Sequence, residues 1–149
     1  MSTTGYTILL VEDEPNDVFL FERAFKKLNL SGNLQIVSDG EAAIAYLTGE
    51  GKYADREKYP IPSLILLDLK LPRISGLEIL SWLRQQPGLK RLLVVVLSSS
   101  KETIDINRAY DLGANSYLVK PVAFGTLVNI VKTLDLYWLA FNERPEVPN

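Results

Sequence analysis

A chain of 149 residues that is 47% hydrophobic has the length of one domain and enough apolar side chains for a full core. A formal charge of -2 supplies no field for gathering a polyanion, which argues against a nucleic-acid partner, and the absence of cysteine excludes disulfides, thiolate nucleophiles and sulfur-ligated zinc. Histidine is absent too, so every His-based triad, histidine metal site and imidazole base is excluded, leaving carboxylates, hydroxyls, Lys, Tyr or a bound ion for any chemistry.

Met1 to Gly5 carries neither a basic patch nor a long apolar region, and no stretch approaches the length of a membrane span, so the cytoplasm is the expected location. Tyr6 to Val11 is an apolar, β-rich run that ends on Glu12-Asp13-Glu14-Pro15, a turn into a helix with acids near its N-terminus and proline in its first turn. Val18, Phe19, Phe21, Phe25 and Leu28 give that helix its apolar face, closing near Ser31-Gly32. Leu34 to Val37 is a short strand, and Asp39 is placed to cap a helix carrying Ala42, Ala43, Ile44, Tyr46 and Leu47. Residues 49–62 are polar and punctuated by glycine and proline, which predicts a surface loop with solvated charges.

The run Ser63 to Leu67 ends on Asp68 and is bounded by Pro62 and Pro72, as a strand buried on both faces would be. Pro72 and Gly76 frame a loop into a helix carrying Leu77, Ile79, Leu80, Trp82 and Leu83, which stops before Pro87-Gly88. Leu92 to Leu97 is the most β-branched run and leads into Ser98-Ser99-Ser100. A helix over Lys101 to Leu112 ends at Gly113, in the left-handed position past its C-terminus. Ser116 to Val119 is a strand leading to Lys120-Pro121, and a long final helix runs from Ala123 to about Phe141. The order βαβαβαβαβα requires right-handed crossovers and an α/β fold, a doubly wound five-stranded parallel sheet with helices on both faces.

In such a sheet, with strand order 2-1-3-4-5, the first and third strands meet at the switch point. Glu12, Asp13, Asp68, Ser98 and Lys120 then share one sheet edge, and the three acids converge in one crevice. Each acid alone has a purely structural reading, as a helix N-terminal charge or a turn cap. Together they cannot all stay ionised without raising one another's pKa or binding a cation, and Mg²⁺ suits carboxylates, a carbonyl and a phosphate oxygen. Carboxylate, hydroxyl and ammonium around such an ion are the parts needed to form an aspartyl phosphate. Asp68 is the candidate nucleophile; Asp13 would bind the ion directly and Glu12 through water. Lys120 and Ser98 would hold phosphoryl oxygens.

VED at 11–13, ILLDLKLP at 65–72 followed by Gly76, VVLSSS at 95–100 and AYDLGANSYLVKP at 109–121, in that order, resemble the CheY-like receiver domain of two-component response regulators. The resemblance covers nearly the whole chain, as one receiver of core about 5–142 with an insertion at 49–62 and a short tail, Pro145 to Asn149, and no output domain. It implies that Asp68 accepts a phosphoryl group from a phosphohistidine on a sensor histidine kinase. It also implies that the carbonyl of Lys70 joins Glu12, Asp13 and Asp68 around Mg²⁺, that Ser98 and Tyr117 form a switch, and that the Lys120-Pro121 bond is cis. The face of the fourth helix, fifth strand and fifth helix would change shape. Ser98 stands where threonine is common and Glu12 where aspartate is frequent; Lys70 and Ser100 are candidates for tuning phosphate lifetime.

Leu134 to Phe141 is apolar nearly all round, which predicts a partner surface, a homodimer through this C-terminal region or a kinase contact; the alternative is a helix end covered by the 49–62 loop. The insertion and the Tyr137-Trp138 ending further resemble single-domain receivers associated with phytochromes, implying a light-sensing kinase as donor. A haloacid-dehalogenase-type phosphatase would carry its nucleophile on the first strand, and a flavodoxin would need a glycine- and hydroxyl-rich loop where Glu12-Asp13-Glu14-Pro15 stands. A non-phosphorylated pseudo-receiver acting as a binding adaptor is the alternative function.

Overall fold

Three apolar runs, Thr7–Val11, Leu64–Leu67 and Leu93–Ser98, are buried along their whole length, as strands covered on both faces must be. They are β1, β3 and β4 of a parallel sheet completed by β2 (Asn33–Val37) and β5 (Ser116–Val119), in the order β2-β1-β3-β4-β5. The expected order is the observed one. The structure is a computed structural model that describes residues 6–30, 32–121 and 123–147. Met1 to Gly5, Ser31 and the end of the tail, on which expectations above fall, lie outside the described residues.

Five helices complete the expected alternation: α1 (Pro15–Lys27), α2 (Gly40–Thr48), α3 (Gly76–Arg84), α4 (Thr103–Asp111) and α5 (Phe124–Leu134). Because strand side chains alternate, Ile8, Leu10, Leu64, Leu66, Val95 and Leu97 pack on one face with Phe21 and Phe25 of α1 and Leu127, Val131 and Leu134 of α5. Leu9, Val11, Ile65, Leu67 and Val94 pack on the other with Ala43 and Tyr46 of α2 and Ile79, Leu80 and Leu83 of α3. Helix starts are locally encoded: Asp39 Oδ1 accepts from the Ala42 N–H at 2.7 Å, and Ser75 and Glu78 form a reciprocal capping box. Gly113 has φ +107°, the positive value its place past α4 predicts.

Five readings need correction. Phe19 points outward at 57% exposure, with the Arg23 guanidinium 5.9 Å from its ring, and α1 buries Phe21, Ala24 and Phe25 instead. The helix also ends earlier, at Lys27, where Asn29 takes φ +50°. The final helix is not continuous: α5 stops at Leu134 and a π-helical segment runs over Asp135–Phe141. Leu134 and Leu139 are both buried, five residues apart, a spacing an α-helix would rotate by about 140° and one wider turn brings back to one face. The 49–62 loop holds a 3-10 turn, Gly51–Ala54, and covers α2 rather than the C-terminal helix: Tyr53 and Tyr59 close on Tyr46 at ring distances of 5.1 and 5.9 Å. The Lys120-Pro121 bond is trans, as every described peptide bond is; the trans form is the lower in energy, and the long lysine stem still reaches the acids described below.

Arg56 fastens the loop. Its guanidinium donates to the carbonyls of Tyr46 (2.7 Å), Tyr59 (3.3 Å) and Leu47 (3.0 Å), satisfying the end of α2. Arg56→Ala is expected to cost about 1–3 kcal/mol and to raise hydrogen exchange across 49–62 by more than in β1 and β3, the buried strands that exchange on global opening. Equal protection of the loop in both proteins would refute this. Among the described residues, no helix is long and apolar enough to cross a membrane.

Candidate functional site

The parallel register brings the strand ends level. Val11 pairs with Val37 and Leu67, Leu67 with Val96, and Ser98 with Val119. Main-chain bonding continues one residue further: the Glu12 N–H donates to Val37 O at 3.0 Å, the Asp68 N–H to Val11 O at 3.1 Å, and the Lys120 N–H to Ser98 O at 2.8 Å. The backbone of the sheet thus sets these side chains side by side.

Among the described residues, the buried polar or charged ones are Thr7, Glu12, Asp68 and Ser98, and three of these four lie at this edge. Two nearly water-free carboxylates side by side require compensation. Lys120 supplies it. Its ammonium lies 2.7 Å from Glu12 Oε1, 2.9 Å from Asp17 Oδ2 and 3.5 Å from Asp68 Oδ2. Burial pushes the Glu12 carboxyl up to about 7 against the hydrogen bond from Lys120, and the neighbouring Asp68 charge adds to the rise. For Lys120, burial works against the ammonium, but the bonds to Glu12 and Asp17 and the charge of Asp68 outweigh it, and its pKa is raised.

Asp68 Oδ1 accepts from the Lys70 N–H at 3.3 Å, while the Lys70 side chain is exposed. A Cβ on Gly76, the first residue of α3, would stand 2.2 Å from the Asp68 carbonyl oxygen. Only glycine lets the helix start so close beneath the acid. Asp13 is exposed, yet one oxygen from each of Glu12, Asp13 and Asp68 falls within 4.8 Å of the others. Oxygens sharing a Mg²⁺ shell of radius about 2.1 Å lie up to about 4.2 Å apart, and this hard oxygen set is grouped closely enough to suit such an ion.

Ser98 is buried beside Lys120, and its Oγ accepts from the Ser100 N–H at 3.1 Å. Tyr117 is half-buried and its hydroxyl donates to Ser100 O at 2.9 Å, so both expected switch residues meet at Ser100. The Ser100 hydroxyl donates to Asp105 Oδ2 in the first turn of α4 at 2.5 Å. All the expected site residues therefore gather at one edge. The sequence reading missed Asp17 and the Ser100–Asp105 bond. Asp17 left one usable signal, an acid one turn into the helix that leaves the site, but a helix N-terminus explains such an acid without further purpose.

A model of the response regulator receiver domain matches residues 8–132. The probable methanogenesis regulatory protein FilR2 of Methanothrix harundinacea is 38% identical over 94% of this chain and 88% of its own length. The response regulator Rcp1 of Synechocystis is 41% identical over 89% of this chain and 88% of its own. A Mn²⁺-bound crystal structure of Rcp1 superposes with a TM-score of 0.83 at 39% identity, covering 95% of this chain and 99% of that one. The phosphorylated cyanobacterial phytochrome response regulator RcpA superposes with a TM-score of 0.86 at 40% identity and the same two coverages.

Proposed function

The chain belongs to the response regulator receiver domain family, and from that premise we propose that it takes a phosphoryl group from a sensor histidine kinase onto Asp68 and changes the face formed by α4, β5 and α5. The observation that carries this reading is the buried pair Glu12 and Asp68 held against Lys120 beside Ser98. A structural role alone would not call for two buried acids on one lysine, since apolar residues of similar volume would pack there at lower cost.

In the transfer, an Asp68 carboxylate oxygen forms a bond to phosphorus as the phosphorus–nitrogen bond of the kinase phosphohistidine breaks. The electron pair of that bond goes to the imidazole, and Asp68 becomes an acyl phosphate. When bound, Mg²⁺ supplies the charge that neutralises the phosphoryl oxygens, and Glu12, Asp13, Asp68 and the Lys70 carbonyl are the residues that would hold it. Lys120 turns its ammonium from the acids toward a phosphoryl oxygen. Ser98 exchanges its bond from the Ser100 N–H for a bond it donates to another. Ser100 then shifts, Tyr117 loses the acceptor it uses at Ser100 O, and the turn into α4 follows through Asp105.

The donor we assign is a phytochrome-type kinase, supported by the likeness to RcpA, and the site of action is the cytoplasm. Residues 49–62 are an insertion within the receiver domain. The chain pairs with a second copy through the exposed Leu136, Tyr137 and Phe141. Treating the protein with beryllofluoride and Mg²⁺ tests the core of the reading. Trp fluorescence and sedimentation are expected to change, with no change in an Asp68→Asn control. A response equal in both proteins favours the adaptor reading. Transfer from a purified phytochrome kinase, compared with a kinase lacking that photosensor, tests the donor.

A further inference from the structure

Lys120 does not share itself equally among its three acids. It lies 2.7 Å from Glu12 and 2.9 Å from Asp17, but 3.5 Å from Asp68, the residue it must serve once that residue carries a phosphoryl group. We propose that Asp17 is a positioning residue that holds the Lys120 ammonium on the α1 side of the site until a phosphoryl group draws it across. The inference rests on the phosphoacceptor reading above.

An ammonium offers three N–H donors, and two of them are directed at Glu12 and Asp17. Neither anchor can follow the lysine toward Asp68. Glu12 is buried and also accepts from the Glu14 N–H at 3.2 Å. Asp17 is fixed on α1, whose start is set by Pro15 and by the Glu14 carboxylate accepting from the Asn16 N–H at 2.7 Å. The helix N-terminus stabilises the Asp17 charge whether or not the lysine is present. Asp17 stands outside the three acids whose oxygens could share an ion, so its effect on Lys120 is separable from metal binding. At 39% side-chain exposure its pull is screened, which keeps the restraint weak enough for a phosphoryl group to overcome.

The effect is expected to be about two- to fivefold, the range of a half-exposed ion pair. Beryllofluoride titrations with Mg²⁺ on wild type, Asp17→Asn, Lys120→Met and the double variant form the test, with thermal melts of the same four chains in metal-free buffer. Asp17→Asn should tighten beryllofluoride binding by that factor, Asp17→Glu should restore wild-type binding, and the Asn substitution should have no effect in the Lys120→Met background. The metal-free melts should show coupling between the two positions. Equal tightening with and without Lys120 would mean that Asp17 acts by its charge alone, and would overturn the proposal, as would uncoupled melts or unchanged binding in Asp17→Asn. Failure of wild type to bind beryllofluoride in an Asp68-dependent way would instead overturn the phosphoacceptor reading, and this inference with it.

Discussion

Asp68→Asn is expected to bring phosphoryl incorporation from acetyl phosphate to background while raising the thermal stability of the metal-free protein. The first effect follows from chemistry. An amide oxygen is not an adequate nucleophile toward phosphorus, so the covalent route disappears and the rate should fall by more than about a thousandfold. Intact-mass spectra after incubation with acetyl phosphate and Mg²⁺ give the measurement: one phosphoryl adduct in wild type, none in the variant. An adduct of equal yield in Asp68→Asn would move the acceptor to another residue, with Asp13 the nearest exposed acid of the cluster.

The second effect separates function from folding. Asp68 is 5% exposed beside the nearly buried Glu12, and the two share Lys120. Asparagine removes one of two like charges from this low-dielectric corner and leaves the ammonium with Glu12 and Asp17. A gain of about 1 kcal/mol corresponds to a rise of about 2–4 °C in a domain of this length. A variant that loses the adduct and also melts earlier would point to a damaged fold, and the loss could not then be assigned to chemistry.

How much of this could be seen in the sequence depended on whether a residue's role was decided locally. Leu64–Leu67 and Leu93–Ser98 are buried on both faces, so their hydrophobicity is continuous and their strand character is plain without any tertiary knowledge. The alternation of strands and helices then restricts the sheet order, and with the order come the neighbours of Asp68. Asp17 was hidden because its local explanation is sufficient: an acid in the first turn of a helix needs no lysine 103 positions away, and only the folded chain shows that it has one. The outward turn of Phe19 and the π-helical turn after Leu134 have the same origin. In both, the outcome is chosen by what α1 or the C-terminal segment meets on the sheet, while periodicity alone puts Phe19 on the apolar face and continues the final helix unbroken past Leu134. Arg56 likewise gives no sign in the sequence that its donors reach back to the end of α2.

Glu12 leads to an expectation opposite to the usual acid lability of proteins. Its folded-state pKa lies at about 7 against an ordinary 4.5, because burial disfavours the carboxylate more than Lys120 favours it. A raised pKa means that the folded protein binds the proton more tightly than the unfolded chain. The stabilisation from this residue is therefore complete below about pH 4.5 and is lost as the pH rises through 7. The other shifted groups do not interfere between pH 5 and 8. Glu41 is lowered by its hydrogen bond from Arg73 and acts only near and below its ordinary 4.5, Tyr46 is pushed up by burial to about 12, and Lys120 is raised from an already basic value. Denaturant melts of metal-free protein should accordingly show stability falling by up to about 3 kcal/mol from pH 5 to pH 8. Glu12→Gln should flatten that profile, since the amide cannot titrate. Saturating Mg²⁺ should flatten it as well, because a cation against the same oxygens favours the carboxylate and lowers its pKa. A slope that survives in Glu12→Gln would assign the titration to another group; a slope that survives Mg²⁺ but not the substitution would place the ion away from Glu12.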